Sequence, residues 1–116
     1  MTTQIPASLI PKIVSAEQTI TGNANATIGH GLGRLPDDLE IVIRCKTAEL
    51  GYAIGDEVTI AGGGYNATNQ VNVTRNTTNI IITTLSSSAI QVVQKALLSS
   101  ANPITPANWR YVAKYR

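Results

Sequence analysis

The chain is 116 residues long and carries nine Lys and Arg against seven Asp and Glu, a formal net charge of +2. That length suits one domain with one modest core. So small a charge, with no run of Lys or Arg, excludes a phosphate-reading footprint and so argues against nucleic acid as a partner.

The chain is 43% hydrophobic but has no Phe and one Trp, so its core must come from Ile, Val, Leu and Ala. Ile and Val are stiff at χ1 and favour pleated surfaces. Charged residues make up only 14%, and Thr and Asn are abundant. Such a surface is expected either to lie against neighbours or to form polar β structure. Cys45 is the only cysteine, which excludes an intrachain disulfide framework. Its place between apolar strand positions marks it as a small buried hydrophobe. No run approaches membrane-spanning length, and the first residues do not read as a secretory signal.

Residues 1–16 differ from the rest. Pro6 and Pro11 with Ser and Thr predict an extended segment and not a helix. Ile5, Leu9, Ile10 and Ile13 give it apolar surface to bury. It is either an attachment arm that docks on a partner or an edge strand on its own domain. Residues 17–116 then form a single β domain. Gln18–Thr21 and Ala26–Gly29 are predicted strands flanking the turn cluster Gly22-Asn23-Ala24-Asn25. The Gly29-His30-Gly31-Leu32-Gly33 corner follows and closes at Pro36-Asp37-Asp38.

Leu39 to Thr47 alternates cleanly, with Leu39, Ile41, Ile43 and Cys45 on one face and Glu40, Val42, Arg44 and Lys46 on the other. A short strand is expected from Glu57 through Ile60, and Gly62-Gly63-Gly64 predicts a loop. Gln70–Arg75 and Asn79–Thr84 predict a hairpin across Asn76-Thr77-Thr78-Asn79. Ala89 to Ser99 fits a short helix or a bent strand, and its β surroundings favour the strand. Trp109 to Tyr115 is a final strand, with Trp109, Tyr111, Ala113 and Tyr115 on one face. Many short strands at close spacing predict an all-β fold, a small antiparallel β-sandwich or barrel with an extended N-terminal arm.

The chemistry-bearing residues are few. His30 is the only histidine, it lacks a nucleophile elbow, and a turn contact is its expected role. Asp37-Asp38 and Asp56-Glu57 could meet as a glycosidase pair, but each follows a Pro or Gly where acids cap turns. One Cys and one His do not make a zinc site, and no EF-hand spacing occurs. No catalytic, metal or cofactor site is therefore assigned. Aromatic rings on a polar β scaffold can stack on sugars, and Tyr52 and Tyr65 are the candidate glycan contacts.

HGLG-x-x-P before a strand, then CKTAELGYAIGDEV, and finally ITPANWRYVAKYR resemble a structural module of tailed-bacteriophage virion proteins. Such modules occur in tail fibres, appendages and small stand-alone virion proteins, and the resemblance covers roughly residues 17–116. It implies an all-β domain at the particle surface, a homotrimer, other virion proteins as partners, no enzyme activity and no cofactor. The expected function is a small surface appendage, either a capsid decoration or knob or a short tail-fibre component. The alternative is a carbohydrate-binding module for host attachment that contacts a host surface glycan. Neither requires a membrane.

Overall fold

The computed structural model describes residues 11–61, 71–86, 89–95 and 101–116. The fold is built on its last strand, β10 (Trp109–Tyr115), in which Trp109, Tyr111, Val112 and Ala113 are wholly buried. β10 runs antiparallel to β4 (Glu40–Cys45), pairing Trp109 with Cys45 through to Lys114 with Glu40. β4 in turn pairs with β5 (Glu57–Ala61), and the register shifts between Ile41 and Val42. The shift is a bulge, and Ile60, at the extra position, is buried.

The other edge of β10 is covered by two short strands, β1 (Ile13–Val14) and β2 (Gln18–Thr19). Ile13 lies opposite Tyr115 and Val14 opposite Lys114, whereas Gln18 lies opposite Tyr111 and Thr19 opposite Arg110. The pairing therefore slips by one residue between β1 and β2. Ser15 bridges the slip: its N–H donates to the Ala113 carbonyl at 2.8 Å, and its hydroxyl accepts the Ala113 N–H at 2.9 Å.

The second sheet has the order β3 (Ala24–Gly29), β7 (Asn79–Thr84), β6 (Val71–Arg75), all antiparallel. β6 and β7 form the predicted hairpin. Asn76 closes it, its side-chain carbonyl accepting from the Thr78 and Asn79 N–H groups and the Thr78 hydroxyl. A small hairpin, β8 (Gln91–Val93) with β9 (Ala101–Pro103), lies beside the two sheets, so residues 91–93 take the strand alternative. Residues 96–99 fall outside the described part.

The two sheets face each other across one apolar core. Ile41, Ile43, Trp109 and Tyr111 come from the first sheet, and Ile28, Ile80 and Ile82 from the second. Burying each large aliphatic side chain contributes about 1.5–3 kcal/mol, and β-branched residues carry most of this core in place of Phe. The all-β antiparallel fold expected as a sandwich or a barrel forms, with two sheets facing across one core. Cys45 is fully buried, as its strand position required, and burial pushes its thiol pKa up.

One local expectation is corrected. Gln18–Thr21 and Ala26–Gly29 read as two strands around a turn. The strands are Gln18–Thr19 and Ala24–Gly29, and they belong to different sheets: β2 pairs with β10 and β3 with β7. Asn23, at φ 56°, sits in the left-handed region between them. The same turn chemistry that closes a hairpin here carries the chain from one sheet to the other.

Candidate functional site

The N-terminal edge of the first sheet holds the described end of the predicted attachment arm. Ile13 and Val14 are 42% and 54% exposed. Adjacent residues of a strand point to opposite faces, so neither face of β1 is covered, and among the described residues its outer edge has no partner strand. Of the four arm residues, Ile13 is thus placed on an edge strand that is apolar on both faces. Ile5, Leu9 and Ile10 lie outside the described residues.

This segment is held to the domain by more than its backbone. Glu17, just past the register slip, accepts from Arg44 at 3.0 Å and from Lys46 at 3.2 Å. Hydrogen bonds from Arg44 first, then from Lys46, hold its carboxyl below the usual carboxylate range. Arg44 also forks onto Glu57, with Nε and Nη2 at 2.9 and 2.8 Å, and Lys114 reaches the other Glu57 oxygen at 2.6 Å. These charges stand over Val42 and Val112, which pair across β4 and β10 on the outward face of the sheet and are nonetheless buried. The long stems of Arg and Lys can shelter such a pair while their heads stay wet.

The residues that looked most like site chemistry turn out to build corners. His30 is buried, its Nδ1 accepting the Leu32 N–H at 3.1 Å and its Nε2 lying 2.7 Å from the Asn76 carbonyl. The first bond requires a bare Nδ1, so the proton sits on Nε2 and is donated to Asn76. His30 thereby ties the glycine corner to the β6–β7 turn. Arg75 supports the same corner by donating to the Pro36 carbonyl at 2.9 Å.

Asp37 exchanges two backbone hydrogen bonds with Arg116, at 2.8 and 2.9 Å, and Asp38 pairs with the Arg116 guanidinium at 3.2 Å. Asp56 caps its own turn by accepting the Ala53 N–H at 2.9 Å, and this bond lowers its pKa. The two acidic pairs sit at opposite ends of β10: Asp37-Asp38 beside Arg116, and Asp56 beside Cys45, the partner of Trp109. A strand of that length spans about 20 Å, whereas a glycosidase pair needs about 5–9.5 Å. Asp56 and the Asp37-Asp38 pair therefore do not converge, and the Glu57 carboxylate is engaged by Arg44 and Lys114. Among the described residues, no group of three or more His, Cys, Asp or Glu could hold a metal ion.

Tyr52 is half-buried. Its hydroxyl donates to the Val93 carbonyl at 2.6 Å, its ring meets Trp109 edge-on at 5.5 Å, and the Lys95 ammonium stands 5.4 Å from its centroid. Its contacts join β8 to the core, and Tyr65 lies outside the described residues. Sequence reasoning gave Glu49 no role, yet it is the main clamp at this end. It accepts from the Trp109 indole at 2.6 Å, the Thr105 N–H at 2.7 Å and the Asn108 amide at 3.2 Å. Burial alone would raise its carboxyl, but those hydrogen bonds outweigh burial and hold it below the usual range. A Glu four residues after a buried Cys carries no sequence signal for such a role, because its partners lie some sixty positions away.

One further concavity opens where the chain crosses between sheets. It is lined by Thr19, Thr21, Asn25, Thr84 and Tyr111 and holds about 110 Å³, and a more open hollow of about 240 Å³ beside it reaches Asn23, Thr83 and Leu85. No family model matches the chain, and no curated protein or solved structure is significantly similar to it.

Proposed function

We propose that the chain is a structural subunit of a bacteriophage particle, a small surface appendage docked through its N-terminal segment. The reading begins from the resemblance of the HGLG, LGYAIGDEV and ANWR segments to virion modules. The structural observation that supports it best is β1, whose apolar Ile13 and Val14 stand exposed on an edge strand with no outer partner strand among the described residues. Such an edge can be extended by another chain through main-chain hydrogen bonds, with the side chains giving selectivity. Self-association as a trimer would let several weak arm contacts act together at high effective concentration. The corner contacts of His30, Asp37, Asp38 and Asp56 fit a framework role for those residues. A glycan-contact role gains no support from Tyr52, whose ring and hydroxyl are engaged within the chain.

The test is incorporation into particles. Removal of residues 1–14, and separately the Ile13→Asp, Val14→Asp double substitution, should leave a folded domain that no longer co-purifies with phage particles. A truncated chain that incorporates as well as the full one would overturn the docking role.

A further inference from the structure

The N-terminal segment and the central strands are held by different forces. Across residues 11–19 no residue is buried, and Ile20 is the first that is. What holds residues 11–19 is polar: the short pairings of β1 and β2 with β10, the two Ser15 bonds to Ala113, and the Glu17 carboxylate. Backbone bonds at a sheet edge exchange readily for bonds to water, so a segment without apolar burial opens at the low end of local free energies. The strands β4 and β7 differ, being paired on both sides and carrying Ile41, Ile43, Ile80 and Ile82 at 0% exposure.

Glu17 is the charged link between this segment and the sheet. Arg44 and Lys46 of the β4 side donate to it directly. Arg44 is shared with Glu57 of β5, which also takes Lys114 of β10, while Arg110 of β10 turns to the Ala107 and Trp109 carbonyls. Opening the segment breaks the bonds that hold the Glu17 carboxyl below the usual range, so the open form takes up a proton more readily than the closed one. The hold is present above the free carboxyl value, about 4.3, and is lost as pH falls through the lower closed value.

We infer that residues 11–19 form a strap that opens from β10 as a local unit, pivoting at Ile20, with Glu17 as its acid-sensitive clasp. Opening uncovers the main-chain groups of β10 that face β1 and β2. It also moves the point where the N-terminal arm leaves the domain from residue 11 to Ile20, which adds up to about 30 Å of reach at about 3.3 Å per extended residue. The opening stands on the fold alone. Only its use as added reach rests on the docking role proposed for the N-terminal segment.

The experiment is amide hydrogen exchange of the full chain alone, read by NMR in water and in low urea. The Ala113 N–H donates to Ser15, and alternation along β10 turns the Tyr111 N–H to the same side, opposite Gln18. These two amides report the strap, and those of Ile43 and Ile82 report the core. Corrected for intrinsic rates, Ala113 and Tyr111 should exchange at least about tenfold faster than Ile43 and Ile82, with almost no urea dependence, because a local opening exposes little surface. At neutral pH, Glu17→Gln should speed Tyr111 at least about threefold, the scale of partly exposed ion pairs. From about pH 6 to about pH 3, Tyr111 opening should rise in the parent and stay within about twofold in Glu17→Gln. The inference is overturned if Ala113 and Tyr111 share the protection and urea slope of Ile43, which would make the segment part of global unfolding. It is overturned equally if Glu17→Gln leaves Tyr111 unchanged, or if acid opens both proteins alike. Particle incorporation is a separate measurement, so failure here leaves the docking role to its own test.

Discussion

The two faces of the first sheet bury their residues by different means. On the inner face, Ile41, Ile43, Trp109 and Tyr111 meet the second sheet directly, apolar against apolar. On the outer face, Val42 and Val112 meet no second sheet among the described residues, yet they are 2% and 0% exposed beside the Arg44, Glu57 and Lys114 ion pairs. The inner face is closed by packing, which is dense and intolerant of lost volume. The outer face is closed by flexible stems held in place by ion pairs, and these can shift. A strand buried on both faces therefore need not lie between two apolar layers.

The largest test of that difference is a pair of truncations. Ile43→Ala should cost about 2–5 kcal/mol in denaturant unfolding, because the rigid surroundings leave a cavity. Val112→Ala removes two carbons and should cost about 1.5 kcal/mol, near the bare transfer value, because the Arg and Lys stems can settle into the gap. If Val112→Ala proved as costly as Ile43→Ala, the charged lid would be as rigid as the core.

A smaller effect separates the two acids that close these faces. Glu49 and Glu57 both have pKa values below the ordinary carboxylate range. Glu57 is held down by Lys114 first and then Arg44, whereas the donors to Glu49 are the Thr105 N–H, the Trp109 indole and the Asn108 amide, all neutral. A carboxyl with a depressed folded pKa binds its proton more readily in the unfolded chain. The stability it contributes is therefore present above the unfolded value, about 4.3, and is lost as pH falls through the folded value. Carbon-detected titration in low salt and again in about 1 M salt, where the screening length is about 3 Å, should move Glu57 upward and leave Glu49 in place. Equal movement of both would mean that Glu49 also depends on distant charge.

The smallest expected change is Lys114→Met, which keeps a long stem and removes the charge. Exposed ion pairs contribute about 0–1 kcal/mol, and the Lys114 and Glu57 side chains are each about a quarter exposed. Unfolding free energy should fall by less than about 1 kcal/mol, and Val112 should remain protected from solvent. A larger loss would assign the burial of Val42 and Val112 to charge rather than to the stem.

Alternation in 39–47 and 109–115 made the inner face legible, because a period of two depends only on which side of a strand faces the core. The same alternation placed Val42 and Val112 outward and could not show what would cover them. Arg44, Glu57 and Glu17 meet there from three separate segments. Turn residues at 22–25 announced a turn but not its destination, since β2 and β3 find their partners at 110–111 and 79–84. The concavity at the crossover was illegible for the same reason. Thr19, Asn25, Thr84 and Tyr111 look unremarkable in sequence, and only the sandwich brings them together. Asn76 and Asp56 were readable as turn formers because their partners lie within three residues.

The one-residue slip at Ser15 has a mechanical consequence. The N-terminal segment enters beside Tyr115 and runs back along β10, so tension drawn outward along the strand axis shears its hydrogen bonds together instead of unzipping them singly. The slip divides that resistance into two stages. Ile13 and Val14 can yield first, while Gln18, Thr19 and the Glu17 ion pairs still hold the crossover to the second sheet. A segment held this way gives a little under a sudden pull before the domain itself is threatened.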